Sequence, residues 1–302
     1  MQEPLSSYAK VGLAHFMLWP DCVVRDEVLA ETLPLILDRT DIEVIDYCLP
    51  YDESLRESLA RKVRDSGKEA CYIMFHFPFT MISLGSPARK DQGLSRLVIQ
   101  NQIDAAVASG ADSIVTASGP DCGDADRPEW MCSFAGMLQW FCAQSKPHGI
   151  TVQLESFDRN FDRKFLAGPT SECVTLIESL APGTDNLRLQ LDTSHVRLMG
   201  ESFEHAIRTA GKHLSRLHVA NTVMGDKSSP FFGDRHPPLG YPGGEIDVPE
   251  LTEILRLLLD AGRLNTDNRF PLVIEIQPYP GRSVNETIED NMQRLHEAWS
   301  KV

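Results

Sequence analysis

The feature that most constrains this chain is a rhythm: short apolar runs alternate with longer amphipathic stretches from one end to the other, as repeated strand–helix units around a parallel sheet do. Candidate strands lie at 11–19, 42–47, 70–75, 113–117, 150–156, 187–192, 214–221 and 272–277. Helical patterns follow them at 26–37, 53–66, 93–108, 128–145, 171–180, 203–211, 248–261 and 284–299. Glycines at the helix ends, in Ser66-Gly67, Ser109-Gly110, His148-Gly149, Ala210-Gly211 and Ala261-Gly262, supply left-handed caps. Eight strands, each with its helix, predict an α/β fold, a single (β/α)8 barrel spanning residues 1–302. The one long irregular stretch, 222–247, falls after strand seven, where barrel loops overhang the catalytic mouth, and is read as a lid.

Composition narrows the function classes. With 302 residues, 42% hydrophobic and 24% charged, the chain can bury a core, which excludes disorder as its main state. A net charge of −14 disfavours a nucleic-acid or anionic-membrane partner. Seven scattered cysteines with no C-x-x-C pair read as reduced thiols. The start MQEPLSSYAK has no secretory pattern, and no apolar run approaches the roughly 18 residues that span a bilayer, so a cytoplasmic protein is expected. A homo-oligomer is compatible with all of this.

Strand parity then says which side chains enter the barrel, because successive residues of a strand face opposite ways. Ile150, Val152 and Leu154 oppose Thr151, Gln153 and Glu155; leucines 187, 189 and 191 oppose Arg188, Gln190 and Asp192. Leu217 and Val219 oppose Arg216 and His218, while Leu272, Ile274 and Ile276 oppose Val273, Glu275 and Gln277. Four consecutive strands thus end in an inward Glu155, Asp192, His218 and Glu275. Carboxylates gathered in one mouth repel one another and resist desolvation, so a cation belongs among them. The donor set suits one divalent metal ion, with Mn2+ expected and Co2+, Zn2+ or Mg2+ also compatible. The competing reading makes each an ordinary polar strand end with an ion-pair partner, Arg188 or Arg216 included.

Leu-Glu-Ser (154–156), Leu-Asp-Thr-Ser-His (191–195), Leu-His-Val (217–219) and Ile-Glu-Ile (274–276) resemble the xylose-isomerase-like barrels, nearest the ketose 3-epimerase and hydroxypyruvate isomerase branch. That resemblance implies metal ligation by Glu155, Asp192, His218 and Glu275, proton exchange by Glu155 and Glu275, and substrate contacts from His195 and Arg235. It implies an isomerase or epimerase acting on a small sugar-like substrate, or a dehydratase of the inosose or dehydroshikimate type. Gly-Asp-Arg-His (233–236) and the glycine-rich run after it resemble an element of endonuclease IV, a multinuclear metal phosphodiesterase, which would make Asp234 and His236 ligands of an additional metal. That enzyme has a histidine at the end of strand four, where this chain reads Val-Thr-Ala-Ser-Gly-Pro (115–120). His76, among Phe75, Phe77 and Phe79, is a candidate substrate contact or a core histidine. A catalytically silent sugar-binding barrel is the remaining alternative.

Overall fold

The computed structural model describes residues 3–74 and 83–302. Eight short strands, β1 (Ala9–Ala14), β2 (Val44–Tyr47), β3 (Glu69–Ile73), β4 (Ser113–Thr116), β5 (Thr151–Glu155), β6 (Leu187–Asp192), β7 (Leu214–Val219) and β8 (Phe270–Ile274), pair in sequence order and close into a barrel. All pairings are parallel, and β8 returns to β1 with Leu13 opposite Ile274. The helices are α1 (His15–Leu18), α2 (Asp26–Leu37), α3 (Glu53–Asp65), α4 (Arg89–Ser109), α5 (Arg127–Ser145), α6 (Thr170–Leu180), α7 (Thr193–Leu198), α8 (Phe203–Ala210), α9 (Val248–Asp260) and α10 (Val284–Ser300). This is the expected barrel.

Local chemistry explains where the elements stop. Asp52 caps α3 by accepting from the Leu55 amide, and Ser283 with Glu286 forms a reciprocal capping box on α10. The buried residues of α10, including Ile288, Asn291, Met292, Leu295 and Trp299, recur at three- and four-residue spacing and form its inner face. Gly110 ends α4 in the left-handed well at φ 69° and ψ 33°. Gly211 departs from that expectation: at φ 48° and ψ −127° it leads into a 3-10 turn instead of closing a left-handed cap.

The expected strand 11–19 is also corrected, since β1 ends at Ala14 and the chain turns immediately into α1. The apolar run misleads because Phe16 is buried as part of a helical turn over the barrel mouth, not as strand. Glu275 lies one residue past β8, its amide still donating to Val219 O at 3.0 Å. His76, Phe75, Phe77 and Phe79 fall outside the described residues. Among the described residues no helix is long and apolar enough to cross a membrane. All seven cysteines are free thiols.

The apolar core fills the layer between sheet and helices, with Leu187, Leu189 and Leu191 fully buried there. Inside the barrel the packing is polar as well as apolar: Asp46, Gln153, Gln190 and Arg216 are all buried. Gly12 sits where a Cβ would come within 2.5 Å of Val44 O and 2.7 Å of its Cβ. Gly12→Ala is therefore expected to cost about 1–3 kcal/mol through overpacking. A urea midpoint unchanged by the substitution would show that β1 and β2 are not held at this separation.

Candidate metal centre and substrate cavity

Glu155, Asp192, His218 and Glu275 meet at the C-terminal mouth of the barrel, all buried, with one ligand atom from each within 4.8 Å of the others. The Asp192 carboxylate divides its work. Its Oδ1 accepts from Ser194 N at 2.6 Å, Ser194 Oγ at 2.5 Å and His195 N at 3.2 Å, capping α7. Its Oδ2 and Glu155 Oε1 have no hydrogen-bond partner among the described residues, although both are buried. His218 turns Nδ1 toward these atoms, 3.6 Å from Glu155 Oε1 and 3.8 Å from Asp192 Oδ2, with Glu275 Oε2 against it.

Buried carboxylate oxygens without donors are costly, and here they converge on one nitrogen. Three hard oxygen donors and one imidazole around a common point fit a divalent cation. Neither arginine named in the ion-pair alternative serves these four, since Arg216 pairs with Asp46 and Arg188 donates to the carbonyls of Asp185 and Leu187; their ion-pair partners are imidazoles and, for His218, carboxylates.

A second set of side chains fixes the imidazole. Asp46 Oδ2 lies 2.7 Å from His218 Nε2, so the ring presents its other nitrogen to the centre. Asp46 is itself held by the buried guanidinium of Arg216, whose far side lies 3.7 Å from Glu69. Burial would push the Asp46 carboxyl up, but Arg216 and His218 outweigh it and hold it below its usual range. The sequence reading missed Asp46. Its signal was a carboxylate inside the apolar run Val44-Ile45-Asp46-Tyr47, where a charge demands a partner.

Above these four side chains lies a cavity of about 110 Å³. Phe16, Met17, Ile73, Phe157 and Phe165 form its apolar wall; the polar side is made by Glu155, His218 and Glu275 with Arg163, His195, Asp234 and His236. His195, expected at the substrate, is there: its ring stacks on Phe157 at 4.0 Å, Nδ1 lies 3.6 Å from Glu155 Oε1 and Nε2 lies 3.1 Å from Asp234 Oδ1. His236 Nε2 meets the same Asp234 oxygen at 2.5 Å. Asp192, His195 and His236 form a second group that could hold an ion. Asp234 is outside it, engaged by Arg163, His195 and His236. Arg235 is exposed and is not brought to the cavity; Arg163, from the loop after β5, occupies the cavity wall instead. The stretch 115–120 at the end of β4, compared with a nuclease histidine, contains no histidine, and its Ser118 receives the Ala167 amide at 2.8 Å.

Burial pushes the Glu155 carboxyl up to about 7. Burial also opposes charge on the imidazoles, yet Asp192 and Asp234 raise His195 to about 10, and Asp234 with Glu275 raises His236 to about 9. For His218, Glu275 and Asp46 overcome the same burial and hold it well above its ordinary value. The surrounding carboxylates thus favour the charged form of all three imidazoles.

The fold and site define a class: a (β/α)8 barrel with an acid–imidazole cluster at its C-terminal mouth. The sequence profile of the xylose isomerase-like TIM barrels matches residues 38–262, and the chain belongs to that family. A 2-oxo-tetronate isomerase of Pectobacterium atrosepticum is 21% identical over 211 residues, 68% of this chain and 73% of that protein. A solved D-tagatose 3-epimerase-like protein aligns at a TM-score of 0.73 with 15% identity, covering 97% of this chain and 99% of its own. An AP endonuclease, family 2, from Brucella melitensis aligns at 0.64 with 16% identity over 95% and 99%.

Two outcomes are expected. Asp46→Asn should weaken Co2+ binding about 10- to 100-fold by releasing the His218 ring, and unaltered affinity would dismiss Asp46 as its anchor. Metal affinity should fall as pH is lowered, because His218 is protonated in the metal-free site and must lose that proton to ligate. Calorimetry in buffers of different ionisation enthalpy should register proton release; none would contradict the assignment.

Proposed function

We propose that this protein is a divalent-metal-dependent isomerase or epimerase that moves a proton next to the carbonyl of a small sugar-like ketone. The observation that carries the proposal is the convergence of Glu155 Oε1 and Asp192 Oδ2, buried and without hydrogen-bond partners among the described residues, on His218 Nδ1 beside a cavity. Glu155, Asp192, His218 and Glu275 would hold the ion. When bound, it supplies Lewis-acid polarisation of neighbouring carbonyl and hydroxyl oxygens.

The proton work falls to the two glutamates. One removes the carbon-bound proton and the other returns it. The phenylalanine wall excludes water from the intermediate. His195 and His236 can donate to substrate oxygens through Nδ1, which has no hydrogen-bond partner among the described residues in either ring. The segment 222–247 serves as a cover. It is fastened by Asn221, which holds Pro238 O and the Thr222 and Ile246 amides, and by Thr222 Oγ1 on Gly233 O. Similarity to a 2-oxo-tetronate isomerase and to a D-tagatose 3-epimerase-like protein supports this reaction class. The group Asp192, His195 and His236 favours a second reading, a multinuclear hydrolase, against which stand the lack of a histidine in 115–120 and the engagement of Asp234 by Arg163. A β-elimination of the dehydratase kind would use the same base.

Elemental analysis of active protein should find one divalent ion, with manganese expected, and chelation should abolish turnover of a ketose panel. Glu155→Gln and Glu275→Gln should each lower kcat by about 10²–10⁴ while much of the substrate binding persists. Near-normal rates in either variant remove it from the proton path, cleavage of abasic-site DNA would favour the hydrolase, and binding with no turnover would mark a silent barrel.

A further inference from the structure

Arg163 is the one arginine or lysine in the cavity wall among the described residues, and its placement is built. Asp158, fully buried, accepts the backbone amides of Phe161 and Asp162 at 2.7 Å and of Arg163 at 2.9 Å, folding 158–164 into a tight turn. Asp162 then accepts the Asp234 amide at 2.8 Å, and Gly233, at φ 82° where glycine is favoured, brings the two loops close enough that a Cβ there would meet the Asp162 carboxylate at 2.5 Å. This clamp presents Arg163 to the cavity and leaves its backbone little freedom.

A guanidinium offers two hydrogen-bonding edges. Arg163 spends its side edge on Asp234: Nε bonds the carboxylate and Nη2 reaches the backbone carbonyl at 3.3 Å. The end edge, formed by Nη1 and the second Nη2 hydrogen, has no partner among the described residues, and the side chain lines the cavity while 38% exposed. Two parallel N–H donors at a fixed position match a planar carboxylate, and such pairs exceed a neutral hydroxyl contact in strength.

We infer that this end edge is a carboxylate subsite, and that the substrate is a short sugar acid with its carbonyl carbon near Glu155 and Glu275 and its acid group on Arg163. The inference rests on the isomerase reading, and it selects sugar acids over neutral ketoses of the same length. Asp234 then has a purpose of its own: it orients the guanidinium by one edge so that the other faces inward.

The test uses metal-loaded, full-length protein and two non-reacting probes, a four-carbon aldonate and the alditol of the same length, with binding read by calorimetry. Wild type should bind the aldonate at least about tenfold tighter than the alditol. Arg163→Met should abolish that margin and leave alditol affinity within about twofold, while Arg163→Lys, which keeps the charge without the fork, should recover only part of it. Equal affinities in wild type overturn the subsite. So does a margin that survives Arg163→Met, or a matched loss of both probes together with metal, which would reduce Arg163 to a holder of Asp234. Turnover of acids and ketoses is measured alongside. Charge selectivity with no interconversion of either sinks the isomerase reading and spares the subsite; turnover of ketoses without charge selectivity does the reverse.

Discussion

Closing eight parallel strands brings their C-terminal ends within reach of one another, and here four neighbouring ends carry Glu155, Asp192, His218 and Glu275. None of these side chains can turn to solvent, so their charge has to be met inside the protein. From below it is met through His218, which leans on Asp46, which leans on Arg216. From above it is met by His195 and His236, both tied to Asp234. Most of the buried polar residues described above are parts of these two supports. A buried pair loses several kcal/mol when one member is removed, which is why the set behaves as a unit.

The loops that frame the mouth follow the same logic with backbone as the partner. Asp158 and Asn221 spend their side chains on amides and carbonyls of their own loops. Irregular backbone near a cavity is thereby satisfied without strands or helices, and the mouth can be roofed by chain that holds its shape.

Much of this was readable in advance. Barrel architecture followed from counting, and the convergence of Glu155, Asp192, His218 and Glu275 followed from parity, because leucine, valine and isoleucine mark the outward face of β5 to β8 and leave the polar residues on the other. Parity was silent at β2, where Val44, Ile45, Asp46 and Tyr47 are all buried and no polar face stands out. It was silent again at Arg163, whose position depends on a turn around Asp158, a matter of tertiary hydrogen bonding and not of period. Arg235 shows the converse: the resemblance implied a substrate contact there, and the chain reverses at His236, with φ 47°, so that Asp234 and His236 line the cavity while Arg235 is exposed. The strand expected to run to Trp19 failed for a similar reason, as hydrophobicity does not distinguish a buried strand from a buried helical turn.

The two oxygens of Asp192 are committed to different tasks, one to the first turn of α7 and one to the centre of the site. A glutamate there would carry its carboxylate one methylene too far to cap the helix, and an asparagine would cap it while losing the anionic ligand. Any substitution at Asp192 must therefore meet two unrelated demands at once, a constraint that a side chain with a single partner does not carry.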